Sequence, residues 1–97
     1  MPRYLMLLHY TSQGIANIKQ SPARLDAARK AAEKAGGKIH DWYLTMGRYD
    51  AALVAEFPDD DTCARVALSL GSLGNVSTET LKAFTEDEYR KIISSLS

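Results

Sequence analysis

Leu44-Thr45-Met46-Gly47-Arg48-Tyr49-Asp50 sits where one apolar segment stops and another begins. On its N-terminal side, Lys38–Met46 alternates like a strand: His40, Trp42, Leu44 and Met46 on one side, Ile39, Asp41, Tyr43 and Thr45 on the other. On its C-terminal side, Ala51–Phe57 alternates again, with Leu53 and Phe57 opposed to Ala52 and Val54. Two such runs joined by a short segment containing Gly and Asp predict an antiparallel hairpin. Gly47 is expected to supply a positive φ, and Asp50 to accept N–H bonds of the turn.

Working outward, the upstream flank predicts a helix. Ser21-Pro22 reads as a cap followed by proline in the first turn. Leu25, Ala28, Ala32 and Ala35 then recur at helical spacing, and Gly36-Gly37 ends the run. Before it, Thr11-Ser12-Gln13-Gly14 turns into a short helical piece over Ile15–Lys19. The chain starts with a strand over Arg3–Thr11. Tyr4, Met6, Leu8 and Tyr10 share one of its faces, and Leu5, Leu7, His9 and Thr11 the other. Both faces are largely apolar, as in a central strand covered on both sides.

Downstream, Pro58-Asp59-Asp60-Asp61 opens a second long helix, since acids in a first turn complement the helix dipole. Cys63, Val66, Ala67 and Leu70 make its inward stripe, and Gly71 is the expected stop. Leu73-Gly74-Asn75 leads into a strand over Val76–Phe84. Thr85 and Glu88 form a capping box for a terminal helix, with Phe84 placed to staple against Tyr89. Tyr89, Ile92, Ile93 and Leu96 are its apolar stripe.

The resulting order is β-α-β-β-α-β plus a C-terminal helix. This predicts an α+β, ferredoxin-like fold with a four-stranded antiparallel sheet in the order 4-1-3-2. Right-handed crossovers put both long helices on one face. The other face stays open, yet the first strand presents apolar side chains to it whichever parity holds. A contiguous apolar face of this kind marks an interface. We therefore expect a homodimer or higher oligomer through the open sheet face. The competing expectation is that the terminal helix folds back over its own sheet.

Length and charge bound the rest. The 97 residues are expected to form one domain, 1–97. Twelve basic and twelve acidic residues cancel, and Arg24, Arg29, Lys30, Lys34 and Lys38 are interleaved with alanines like the wet face of a helix. No nucleic-acid footprint is expected from such a pattern. Cys63 is the only cysteine, so no internal disulfide can form. The apolar run Tyr4–Leu8 is far short of the roughly 20 residues that span a bilayer, and no small-residue cleavage site follows it. A cytoplasmic protein, not associated with a membrane, is the expectation.

Few residues point to chemistry. Tyr49 could donate a hydrogen bond at a pocket mouth with Asp50 orienting it, although turn bonding alone explains both. His9 and His40 carry imidazoles that could act as general bases, yet strand histidines commonly serve as hydrogen-bonded core residues. Trp42 shares a predicted face with His40 and could wall a cavity or lie in a dimer core. The acids at Asp59–Asp61 diverge around a helix start, and no His or Cys pair has metal-ligand spacing, so no metal and no cofactor is expected. Gly71-Ser72-Leu73-Gly74-Asn75 runs helix–loop–strand, the wrong order for a phosphate cradle. Ser12-Gln13-Gly14 lies in the right order, but capping accounts for it. A ligand pocket between sheet and helices, near the corner, would be lined by His9, Thr11, Trp42, Tyr49, Asp50 and Asn75.

Four segments together resemble one family: Thr11-Ser12-Gln13-Gly14-Ile15, Gly47-Arg48-Tyr49-Asp50, Leu70-Gly71-Ser72-Leu73-Gly74-Asn75-Val76 and Thr80-Leu81-Lys82-Ala83-Phe84. In this order and spacing they resemble the GYD domain family, small bacterial proteins named for a Gly-Tyr-Asp corner. Arg48 makes the corner Gly-Arg-Tyr-Asp here. The resemblance implies a dimeric α/β-barrel-type fold and carries no established activity. Larger relatives of that architecture include cofactor-independent monooxygenases, lactone isomerases and interaction modules, and fold analogy does not choose among them. Three functional expectations follow. The first is a homo-oligomeric domain that binds a small molecule or a partner. The second is a cofactor-independent enzyme, of monooxygenase or isomerase type, in which His9 or Tyr49 moves protons. The third is a purely structural assembly unit.

Overall fold

The computed structural model describes residues 1–97. Strand β1 (Arg3–Tyr10) is followed by a short helix α1 (Ser12–Ala16), a 3-10 turn (Ile18–Gln20) and the long helix α2 (Ser21–Lys34). The hairpin β2 (Lys38–Leu44) and β3 (Ala51–Glu56) comes next. Helix α3 (Asp60–Ser72), strand β4 (Val76–Ala83) and helix α4 (Glu86–Ser94) complete the chain. The sheet runs β2-β3-β1-β4, which is the predicted 4-1-3-2 read from the other edge. Every pairing is antiparallel.

The parity of β1 resolves cleanly. Tyr4, Met6 and Leu8 are buried with Ala51, Leu53, Ala55 and Phe57 beneath Ala32 of α2 and Cys63 and Val66 of α3. Leu5, Leu7 and His9 point to the opposite face. Their cross-strand partners Val54, Ala52, Leu81, Glu79 and Ser77 share that face with them. At its far end Glu56 accepts from Arg3 at 3.0 Å and lies 2.7 Å from His40 Nε2. The middle of the face is apolar, and no element of the chain covers it.

Several local expectations need correction. Ser21 does not cap α2: the N-cap position is Gln20, and no side chain bonds there. The Ser21 hydroxyl instead meets Tyr10 Oη at 3.2 Å. The short helix starts at Ser12 rather than Ile15, because Thr11 Oγ1 accepts from Gly14 N and caps it three residues earlier than expected. Helix α3 runs through Gly71 and stops at Ser72, and the chain reverses at Gly74, whose φ is +85°.

The alternation of β2 also fails, at a bulge between Ile39 and Asp41. A bulge puts two residues opposite one and flips everything beyond it. Ile39 is buried against Ala55, but His40 reaches Glu56 on the open face. Trp42 then pairs with Leu53 and returns to the helix side. His40 and Trp42 thus lie on opposite faces.

The terminal helix forms with the capping box intact: Thr85 Oγ1 accepts from Glu88 N, and Glu88 Oε1 accepts from Thr85 N. It does not fold back over its own sheet. Tyr89 and Leu96 are 57% and 67% exposed, Ile92 and Ile93 are exposed too, and α4 makes no substantial packing contact with any other element. Phe84 beside it is also exposed.

Candidate functional site

A cavity of about 490 Å³ lies between the sheet and the two long helices. Its floor is Leu8 and Tyr10 of β1, Trp42 of β2, Leu53 of β3 and Val76 of β4. One side is the N-terminal half of α2, with Ser21, Arg24, Leu25 and Ala28; the other is the C-terminal turn of α3 and the residues after it, with Ser69, Leu70, Ser72 and Asn75.

The space exists because of side-chain size. Along the cavity α2 presents Leu25 and the alanines Ala27, Ala28 and Ala31, and α3 presents Ser69 and Ser72. Interiors normally pack to crystal density. Here short side chains hold two helices above a sheet without filling the gap between them. Phe57 and Met6 fill the corresponding volume at the other end of the sheet, and both are almost fully buried. There Tyr4 stacks on Phe57 at 6.0 Å and donates to Asp60 Oδ1 at 2.5 Å. Asp60 also pairs with Lys82 at 3.3 Å.

A shallower second hollow adjoins the cavity and shares Tyr10, Ser21, Leu25 and Trp42 with it. It extends past Ile18 and Leu44, both exposed, toward solvent.

The six residues expected to line a pocket divide into three groups. Trp42 and Asn75 are in the cavity wall. Asp50 and Thr11 brace the wall from behind. Asp50 N donates to Leu8 O at 2.8 Å, and Asp50 Oδ2 accepts from Tyr10 N at 2.8 Å. The carboxylate thereby continues the ladder of β1 beyond its last partner, Leu8↔Ala51. It bonds across to β1, not within its own turn as expected. Inside the turn, Thr45 serves instead: Thr45 N donates to Asp50 O at 2.9 Å and Thr45 Oγ1 to Tyr49 O at 2.5 Å. Gly47 takes the positive φ, +108°.

Thr11 ties the start of α1 to the α3–β4 connection. Thr11 N donates to Asn75 O at 3.0 Å, and Thr11 Oγ1 to Gly74 O at 2.6 Å. Gln13 Nε2 donates to Asn75 Oδ1 at 3.0 Å. The two segments approach so closely that a Cβ on Gly14 would lie 2.1 Å from Asn75 O. Only glycine fits.

His9 and Tyr49 form the third group, on the opposite face of the sheet. Their rings stack at 5.0 Å, and Tyr49 Oη donates to Glu79 Oε2 at 2.6 Å. That bond first, then desolvation, holds the Tyr49 phenol above its ordinary pKa. Neither hollow touches His9 or Tyr49. Cys63 is buried under α3, where desolvation and then the Asp60 charge push its thiol pKa up, against nucleophilic use. No group of His, Cys, Asp or Glu side chains is arranged to hold a metal ion.

Sequence reasoning missed Tyr10, Ser21, Arg24, Ser69 and Ser72 as wall residues. A signal was present: Ala27, Ala28 and Ala31 across from Ser69 and Ser72 give two facing helices with little volume between them.

The fold and cavity define a class: a ferredoxin-like α+β domain with a hollow under its crossover helices. The chain belongs to the GYD domain family, whose model matches residues 4–93. No curated protein sequence matches it significantly. Among solved structures it is similar to TTHA0845 from Thermus thermophilus, with 23% identity and a TM-score of 0.56 over 88% of this chain and 95% of that one. It is also similar to FFRP-DM1, with 13% identity and a TM-score of 0.62 over 87% of this chain and all of the other. A third is At3g17210 from Arabidopsis thaliana, with 11% identity and a TM-score of 0.53 over 88% and 95%. At these identities the likeness is one of fold. No helix of the chain is long and apolar enough to cross a membrane.

Proposed function

We propose that this protein is a homodimeric binding domain that holds a small molecule between its sheet and helices α2 and α3. The observation that carries the reading is the cavity of about 490 Å³, apolar on its floor, with a few polar groups at its sides. Ligand sites in proteins span roughly 300–1,000 Å³ and have this composition. The enzyme reading built on His9 or Tyr49 receives no support from geometry, since both side chains face away from the cavity.

The dimer would form through the open face. Leu5, Leu7, Ala52, Val54 and Leu81 make its apolar centre. Four strands of six to eight residues, about 4.8 Å apart and rising about 3.3 Å per residue, span roughly 450 Å². A stable interface buries about 800 Å² per partner. The exposed stripe of α4, with Phe84, would supply the difference by reaching over the second copy.

The test of the ligand reading uses Trp42, the only tryptophan. A fragment library is screened by thermal shift, and hits are titrated against tryptophan emission. Under this reading, compounds that raise the melting temperature also change the emission of Trp42. A library that moves neither signal would refute it.

A further inference from the structure

We infer that the cavity takes a small organic monoanion with an apolar body, an aryl- or alkyl-carboxylate, anchored on Arg24. This deepens the binding reading above and rests on it.

Arg24 is the only charged residue in the cavity wall. Its guanidinium is in none of the four ion pairs of the molecule. Two of its five N–H donors are engaged, both by neutral backbone: Nη1 donates to Asn17 O at 2.9 Å and Nη2 to Gly14 O at 3.4 Å. These bonds hold the planar fork against the α1 segment without neutralising it. Three donors are left for a guest.

The surroundings select the sign of that guest. Arg24 is half-buried beside mostly apolar walls, where an unpaired cation gains from a paired anion. No carboxylate in the wall supplies one. The other polar side chains there, Tyr10, Ser21, Ser69, Ser72 and Asn75, carry no charge; Ser72 Oγ already donates to Ser69 O, and the Ser69 hydroxyl and the Asn75 amide can donate to a guest. A cationic guest would meet repulsion from Arg24, and a neutral one would leave it unpaired. A carboxylate matches the guanidinium fork in shape as well as charge.

The remaining wall sets the guest's body. Leu8, Leu25, Leu53 and Val76 with the ring of Trp42 suit an aryl or branched alkyl group. The adjoining hollow past Ile18 and Leu44 leaves room for a tail. At ordinary packing density the cavity holds roughly twenty non-hydrogen atoms.

The experiment compares three probes of one shape on the full chain: 4-phenylbutyrate, 4-phenylbutanol and 4-phenylbutylamine, each titrated against Trp42 emission and melting temperature. The expected order is acid, then alcohol, then amine, with the acid about tenfold or more tighter than the alcohol. Arg24→Gln is expected to bring the acid down to the affinity of the alcohol. Equal affinity of acid and alcohol for the unmodified protein would overturn the anion assignment and leave the cavity reading standing. No response to any of the three at millimolar concentration would overturn both. The acid–alcohol comparison needs no variant, so it decides even if Arg24→Gln fails to fold.

Discussion

Asp50 shows how one side chain can extend a sheet. β1 loses its β3 partner after Leu8, and the Asp50 carboxylate takes the next N–H, that of Tyr10. The backbone of Tyr10, a cavity-lining residue, is thereby fixed. Asp50→Ala is expected to cost about 1–2 kcal/mol in urea denaturation, with Asp50→Asn recovering most of it, because the amide oxygen still accepts. The sequence makes Asp50 visible as a turn residue, but its partner lies forty positions away and no local pattern names it.

Tyr4 and Asp60 set a second residue-scale expectation. Burial, then the bond to Asp60, holds the Tyr4 phenol above its ordinary 10.0; the same bond, then Lys82, holds Asp60 below its ordinary 3.8. A raised phenol contributes stability that is complete below pH 10 and is lost as pH rises beyond it. A lowered carboxyl contributes stability that is present above pH 3.8 and is lost as pH falls beneath it. Tyr4→Phe removes the shared bond. Urea midpoints measured from about pH 3 to 11 should therefore show both the acid and the alkaline declines flattened in the variant. Unchanged slopes would contradict the role given to this pair.

At the scale of elements, the strands and helices were legible because their periodicities differ and their ends carry glycine, proline or capping signals. The capping box Thr85–Glu88 is the clearest case. The bulge at His40 was not legible, because it depends on how β2 pairs with β3 rather than on alternation within β2. That one residue sends Trp42 to the helix side and His40 to the other. The cavity was half legible: Trp42 and Asn75 stood out by type, whereas Ala28, Ser69 and Ser72 contribute by the volume they lack. Filling that volume is a direct check. Ala28→Leu should raise the melting temperature by a few degrees. It should also abolish the response of Trp42 emission to fragments that bind the unmodified protein.

For the whole molecule, the two faces of one sheet do different work. The helix face closes over a core at one end and a hollow at the other. The open face, with Leu5, Leu7, Ala52, Val54 and Leu81, is left without cover, and so is the stripe of α4. The open face was legible from β1 alone, since both parities of that strand are apolar. The course of α4, clear of its own sheet, was not, because an amphipathic helix does not say whose surface it needs.

Sedimentation equilibrium at micromolar concentration and neutral pH tests whether a second copy covers this face. A mass of twice the 10.7 kDa chain is expected. A stable species of 10.7 kDa across the concentration range would contradict the dimer.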